Sequence, residues 1–414
     1  MKILSISSLF PTPDMKNHGV FVENRLLSMS QIEGNELSII NPIPSSPIHK
    51  LIPKYKAQQS SPLHEHSNFF FDIYRPRFFS IPGFFKDLEH LFLLDKVRAY
   101  VRDKKIDAID VHWTYPDAVV AQQIAKELNV PYFVTLRGSE AFYEKDNDNR
   151  NKLIKSALED SKGIISLSEK LEKKAFNLMD DKFYSKKSAV IRNGVDINKF
   201  PYVSKNIARS LLSLGDDDVI LLGVGSLIER KGFHHVISSL KSLAKMIPEK
   251  NIKYYILGES GLEGDYSSKL KDNIALLNSS NERIEVVLFG SVSNNSLYRW
   301  YNAADIFCLS SFDEGSPNVL SEALSCGCPA VCNDVGSVVE IMNSEEDLGT
   351  VISTPLSSRM DELSGGAWAS NIHEQLRKNK THNREKQYKA MSKYTWDWCA
   401  NKALNFIENA VNEK

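Results

Sequence analysis

Two carboxylates flank a predicted helix start in the stretch FDEGSPNVLSEALSCGCPAVCNDVG, residues 312 to 336, with Glu314 in the loop and Glu322 on the helix. Ser316 is expected to cap that helix and Pro317 to take its first position, where the missing N–H would have no partner anyway. Val319, Leu320, Ala323 and Leu324 recur at helical spacing as a buried stripe, leaving Asn318, Glu322 and Ser325 on another face. Glu314 then lies near unpaired backbone N–H groups and the positive end of the helix dipole. A carboxylate pair beside amide donors suits a ligand rich in hydroxyls that also carries phosphate. A solvated loop acid and an exposed helix acid would show the same spacing, so the surrounding elements must separate the two readings.

A second charged pair, Arg230 and Lys231, directly precedes a helix predicted to begin around Gly232. Arginine grips phosphate oxygens through two N–H groups and lysine adds a compact charge, so together they could hold a diphosphate. An ordinary basic loop is the plainer alternative. The strands VILLGVGS, KYYILGESG, IEVVLFGSV and ADIFCLSS alternate with helices, which predicts a parallel sheet with ligands at the carboxyl ends of its strands. The basic pair, the turns at Gly258 and Gly290, and the chain leading to Asp313 and Glu314 all fall at such ends. Gly223 and Gly225 do not extend to a full GxGxxG, and the aspartates at 216 to 218 read as a solvated turn before a strand.

The first half repeats the alternation. Lys2 to Leu9 reads as a strand, and its loop leads to Gly19 and a helix, a layout that can present N–H groups to an anion or form a plain turn. The apolar opening reads as a strand because Pro11 and Pro13 stand where a leader cleavage site would be needed. His112, Arg137 and Glu140 all lie at predicted strand ends and are expected to converge on one crevice. Between them and the first helix lies a segment rich in phenylalanine, with Phe69, Phe70, Phe71, Phe78, Phe79, Phe84 and Phe85 beside Arg75, Arg77 and Lys86. It reads either as aromatic packing beneath a long connection or as a surface for a membrane or lipid acceptor.

At 414 residues the chain exceeds what one core usually serves, so two α/β domains are expected. A formal charge of −1 provides no global field for nucleic acid. No apolar run approaches the length of a membrane span. Five cysteines without framework spacing, three of them in CGCPAVC, read as buried small residues in a reducing compartment, and cytoplasm is expected.

With GSLIERKG at 225 to 232, EGSPNVLSE at 314 to 322 and IRNGVD at 191 to 196, the chain resembles the GT-B glycosyltransferases of family four, which are retaining and depend on nucleotide sugars. FPTPDMKNHGVFVENRL and HWTYPDA resemble N-terminal motifs of members that build polysaccharides. The resemblance spans essentially the whole chain. It implies two facing Rossmann-like domains, 1–192 on the acceptor side and 193–390 binding the donor, with 391–414 crossing back to the first. It implies that Arg230 and Lys231 stabilise the leaving diphosphate, that Glu322 holds the ribose and that Glu314 contacts the transferred sugar with Gly315, Ser316, Pro317 and Asn318. Gly19 would approach the phosphates, and Gly258, Gly290 and Val292 would line the base. No metal and no cofactor is implied. Many members carry a histidine where this chain has Arg137, so Arg137, His112 and Glu140 are assigned to the acceptor side.

The function so implied is transfer of a hexose from a nucleoside diphosphate sugar to a hydroxyl of a lipid-linked surface glycan, with peripheral contact at the inner face of the cell membrane. A sugar-nucleotide epimerase of the same fold and a catalytically inactive binding protein are the alternatives.

Overall fold

The computed structural model describes residues 1–414 except 51, 53–55, 57, 67–70, 82–83, 139–148, 180–187, 262–263, 279–281, 353–361 and 414; the side chains of 50, 278 and 362–364 also lie outside the description. The chain forms two compact units, one of Met1–Asn193 with Trp396–Lys414 and one of Gly194–Thr395.

The first unit is built on β1 (Lys2–Ile6), β2 (Glu36–Ile40), β3 (Ile43–Ser45), β4 (His64–His66), β5 (Asp72–Tyr74), β6 (Arg77–Phe79), β7 (Ala108–Val111), β8 (Tyr132–Leu136), β9 (Gly163–Ser166) and β10 (Ser188–Val190). Eight of them form one sheet in the order β10-β9-β8-β7-β1-β2-β5-β4, parallel except for β4 against β5, while β3 and β6 pair separately. β7 and β8 are buried along their whole length, as strands covered by helices on both faces must be. The helix Val20–Ser30 packs Val22, Leu26 and Met29 against Ala400, Leu404 and Ile407 of the terminal helix Trp396–Asn412, which thus returns to the first unit. That return begins at Trp396, while the helix Arg384–Met391 stays with the second unit.

The second unit carries six parallel strands: β11 (Val219–Val224), β12 (Ile252–Leu257), β13 (Ile284–Gly290), β14 (Ile306–Leu309), β15 (Ala330–Asn333) and β16 (Gly349–Ile352). Their order is β13-β12-β11-β14-β15-β16. In each sheet the order of construction reverses once, between β1 and β7 in the first and between β11 and β14 in the second. Open α/β sheets bind their ligands outside the carboxyl ends of the strands at such a reversal. The cysteines Cys308, Cys326, Cys328, Cys332 and Cys399 are all free and buried. No helix among the described residues is long and apolar enough to cross a membrane.

Candidate functional site

At the reversal of the second sheet, the turn after β11 closes on the end of β14. A short helical turn, Glu229–Lys231, ends at Gly232 with φ of 64°. A Cβ there would stand 2.1 Å from the Ser310 carbonyl oxygen, so glycine is required both by conformation and by space. Phe312 donates its N–H to the Arg230 carbonyl at 2.9 Å, and Ser310 Oγ donates to the Lys231 carbonyl at 2.8 Å. This bracing sets Lys231 Nζ 2.6 Å from Glu314 Oε1. Arg230 Nη1 lies 3.9 Å from Glu314 Oε2 and donates to the Asp313 carbonyl at 2.5 Å. Two separate sequence motifs therefore meet as one ion cluster, with all three side chains partly exposed.

The helix beyond starts later than expected. It spans Asn318–Ser325, Pro317 occupies the cap position with ψ of 99°, and no side chain caps it. Ser316 is drawn away instead, its Oγ 2.9 Å from Ser337 Oγ, and Ser337 N–H donates to the Gly315 carbonyl at 3.1 Å. Gly336, with φ of 51°, permits this approach, since a Cβ would meet the carbonyl oxygens of Glu314 and Gly315 at 2.4 Å. Ser325 was expected on the polar face but is fully buried, its Oγ donating to the Glu322 carbonyl at 2.9 Å. Leu320, Ala323 and Leu324 form the buried stripe, and Val319 packs against it partly exposed.

Glu322 accepts a hydrogen bond from the Tyr301 hydroxyl at 2.9 Å. Burial pushes its carboxyl up to about 7, against the Tyr301 bond and the charge of Lys199, which favour the carboxylate. Of the turns expected to line the site, Gly258 is needed because a Cβ would fall 1.9 Å from the Gly225 carbonyl oxygen. Its N–H donates to the Gly290 carbonyl at 2.8 Å, and Val292 packs partly buried against the same core. His234, at the start of the helix Phe233–Met246, is buried beside Phe312 with neither ring nitrogen partnered, and burial lowers its pKa to about 4.

At the reversal of the first sheet, His112 and Arg137 directly follow β7 and β8, and the structure joins them. Arg137 Nη2 lies 2.8 Å from His112 Nδ1 and Nη1 donates to Asn193 Oδ1 at 3.0 Å. A guanidinium only donates, so Nδ1 is the acceptor and the His112 proton sits on Nε2, 3.2 Å from Asp110 Oδ2. Asp110 in turn pairs with Arg25 Nη2 at 2.8 Å. Burial alone would raise the Asp110 carboxyl, but Arg25, His112 and Arg137 hold it well below the carboxylate range. Burial lowers the His112 pKa to about 4, so its ring is neutral at neutral pH.

His112 is thus turned inward with both nitrogens facing protein groups, and Arg137, 5% exposed, is the outer member of the chain of contacts. Gly19 caps the Val20–Ser30 helix with φ of 71°, pressed so close to Leu9 that a Cβ would fall 2.4 Å from its carbonyl carbon. Asp117, fully buried, accepts from Ser8 N–H at 2.6 Å and Ser8 Oγ at 2.7 Å and so anchors the same loop. Glu140 lies outside the described residues.

Sequence reasoning missed Arg25, Asp110, Asn193 and Tyr301. Asp110 left a signal, since a charge inside an otherwise apolar, doubly covered strand has to find a partner. Arg25 lies in the stretch FPTPDMKNHGVFVENRL that resembles an N-terminal motif, but a single arginine on a helix reads as surface. The aromatic segment divides: Phe71 and Phe78 are core, whereas Phe84 is 66% and Phe85 61% exposed, with Phe79, Leu88, Leu91 and Phe92 exposed around them. Arg75 is not a surface cation but is buried, bonded to Glu65 at 2.5 Å, and Arg77 donates to backbone carbonyls. Phe69 and Phe70 lie outside the described residues. No group of three or more His, Cys, Asp or Glu side chains among the described residues is placed to hold a metal ion.

Two families match the chain: the one described as Glycosyl transferases group 1 over residues 204–383, and Glycosyltransferase Family 4 over residues 54–199. A putative teichuronic acid biosynthesis glycosyltransferase, TuaC of Bacillus subtilis, is 26% identical over 356 residues, covering 84% of this chain and 85% of that protein. The capsular polysaccharide biosynthesis glycosyltransferase CapM of Staphylococcus aureus is 27% identical over 44% of this chain and 46% of its own. Among solved structures, sucrose-phosphate synthase of Thermosynechococcus elongatus superposes with a TM-score of 0.73 at 17% identity, covering 99% of this chain and 98% of that one. The Anabaena protein HepE in complex with UDP gives a TM-score of 0.69 at 17% identity, covering 99% and 100%. At these identities the likeness to solved structures shows the fold.

Proposed function

Because the chain belongs to the family-four glycosyltransferases of GT-B fold, we propose that it moves a hexose from a nucleoside diphosphate sugar, with retention at the anomeric carbon, to a hydroxyl of a lipid-linked surface polysaccharide. The observation that carries this reading is the contact of Lys231 with Glu314 at the reversal of the second sheet, beside a helix start that no side chain caps. Lys231 and Arg230 would take up the charge that grows on the diphosphate as the bond to the sugar breaks, and the Asn318–Ser325 helix start adds its dipole. Before a donor arrives, Glu314 balances their charge; with one bound, its carboxylate would accept hydrogen bonds from the sugar hydroxyls. Glu322 would accept from the ribose hydroxyls. The reading uses no metal, since the cations and the dipole serve the leaving group.

The relatives named for teichuronic acid and capsular polysaccharide synthesis support a surface-glycan acceptor, and the solved neighbour holding UDP supports a nucleotide-sugar donor. Arg137 would face the acceptor. The exposed Phe84, Phe85, Leu88, Leu91 and Phe92 with Lys86 support peripheral contact of the first unit with a membrane at its inner, cytoplasmic face.

The test is a thermal-shift screen of the chain against nucleotide sugars, followed by donor turnover with and without a glycan acceptor. Saturable stabilisation by one donor with slow hydrolysis or transfer, and an α-linked product from an α-linked donor, is expected. Binding without either reaction would leave a sugar-nucleotide-binding protein. Interconversion of free donors without acceptor would make it an epimerase. Absence of flotation with anionic liposomes would remove the membrane contact.

A further inference from the structure

We infer that the carboxyl ends of β7, β8 and β10 form a binding site for an oxyanion carried by the acceptor, a phosphate or a carboxylate, with Arg137 as the residue that touches it. The inference deepens the acceptor-side reading of Arg137 and rests on it. Three guanidinium groups, Arg25 at 0% exposure, Arg137 at 5% and Arg192 at 7%, are buried at this end of the sheet. Arg25 is matched by Asp110 at 2.8 Å. Arg192 lies over the Trp398 ring at 5.8 Å, one residue before Asn193.

Arg137 stands differently. Both of its hydrogen-bond partners, Asn193 Oδ1 and His112 Nδ1, are neutral acceptors. A guanidinium has five N–H donors, so three remain; its Nε is buried without a partner, as Arg25 Nε and Nη1 also are, so it is the neutral partners that set Arg137 apart. The Phe21 ring, 5.5 Å from the guanidinium carbon, offers only a weak cation–π contact.

A buried arginine that merely joined two loops would end on a carboxylate, as Arg25 does. Asp110 attracts Arg137 too, but it is shared with Arg25, so the three side chains keep one net positive charge, and an uncompensated buried charge costs far more than a neutral bolt of the same shape. The arrangement fits a cation left open for a ligand that brings the opposite charge, and the planar fork matches the paired oxygens of phosphate or carboxylate. A neutral sugar hydroxyl would leave the charge unbalanced. Asp110 and Arg25 act through His112: they fix the ring with Nδ1 toward Arg137, and so hold the fork in place without touching the ligand.

The experiment uses the full chain with Arg230→Gln and Lys231→Gln, which removes the donor-side phosphate grip, and titrates inorganic phosphate and D-glucuronate separately at constant ionic strength while thermal stability is followed. Saturable stabilisation by one of the two is expected, and the one that acts identifies the acceptor group. Adding Arg137→Gln should weaken the apparent affinity at least tenfold, and Arg137→Lys, which keeps the charge and loses the fork, should fall between. Should Arg137→Gln fail to fold, the imidazole nitrogen resonances of His112 in the unmutated chain serve in its place. They should report the Nε2–H tautomer and move as the effective anion is added.

The inference is overturned if neither anion stabilises the background chain, if a folded Arg137→Gln variant binds unchanged, or if the His112 resonances stay still. UDP calorimetry on the unmutated chain tests the glycosyltransferase reading separately. Binding of UDP together with a silent anion titration sinks this inference alone.

Discussion

At the reversal of the first sheet, Asp110 has no exposed surface and is enclosed by Arg25 at 2.8 Å and His112 at 3.2 Å. At the same place in the second, Glu314 meets Lys231 at 2.6 Å but stays partly in water, and Glu322 has the Tyr301 hydroxyl at 2.9 Å. Both carboxylate sites lie where the strand order of a sheet reverses, and the electrostatics are opposite. Asp110 is held far below the carboxylate range by the cations around it, whereas burial lifts Glu322 to about 7. The first carboxylate holds its neighbours in place; the second, Glu322, has one described donor, the Tyr301 hydroxyl.

If that contrast is right, removing Asp110 has the largest effect on stability. Asp110→Ala leaves Arg25 buried without its counter-charge, and breaking a buried pair from one side costs about 3 to 5 kcal/mol. Urea unfolding, with hydrogen exchange assigning the loss to the first unit, measures it. A loss under about 1 kcal/mol would mean that the network is not the closed ion pair seen here. The pH sign separates the two carboxylates further. The contribution of Asp110 is present above the ordinary carboxyl pKa and is lost as pH falls through its depressed value. That of Glu322 is present below the ordinary value and is lost as pH rises through about 7, so Glu322→Gln should gain stability relative to the unmutated chain above neutral pH.

The second effect concerns rate. Lys231→Ala should raise the transfer barrier by about 2 to 4 kcal/mol, by analogy with loss of one preorganised donor to a developing negative charge. Its effect on unfolding should be smaller than that of Asp110→Ala, because the Lys231–Glu314 pair is partly solvated. Single-turnover kinetics with a saturating donor decide this, and unchanged turnover would remove Lys231 from the leaving-group site.

How much of this could be read from the sequence follows from the same contrast. Arg230, Lys231, Glu314 and Glu322 sit in two short motifs at strand ends, where alternation of strands and helices already fixes which end of the sheet holds the site. Their pairing needed only the adjacency of β11 and β14. Ser316 does not cap the helix because it has a competitor, Ser337, brought up by the bend at Gly336, and no local pattern announces a partner that distant in sequence. The first-sheet network was half legible. His112 and Arg137 lie at strand ends, but their partners Arg25, Asp110 and Asn193 come from a helix, a strand interior and the turn after β10. Which of the phenylalanines would be core was not legible either, since composition cannot separate Phe78 from Phe84.

The third effect is on donor binding. Glu322→Ala should weaken nucleoside diphosphate affinity by about 1.5 to 3 kcal/mol for each charged hydrogen bond lost to the ribose. Because the carboxylate must form to accept those bonds, affinity in the unmutated chain should fall as pH drops below about 7, and this dependence should vanish in the variant. Calorimetry at several pH values reads both, and pH-independent binding by the unmutated chain would break the ribose assignment.

The smallest effect tests the comparison most finely. Tyr301 is fully buried, and its hydroxyl is the one protein donor described on the Glu322 carboxylate. Tyr301→Phe keeps the ring in its place beside Phe200 and Phe307 and removes only that donor. A hydrogen bond to a carboxylate favours the charged form, so its loss should push the Glu322 pKa higher still. Donor affinity at neutral pH should then drop by about 1 kcal/mol, with most of the loss recovered at higher pH, where Glu322 ionises even without Tyr301. A loss of the same size at every pH would mean that Tyr301 shapes the pocket rather than tuning the carboxyl. The contrast with the first sheet would then rest on Glu314 and Lys231 alone.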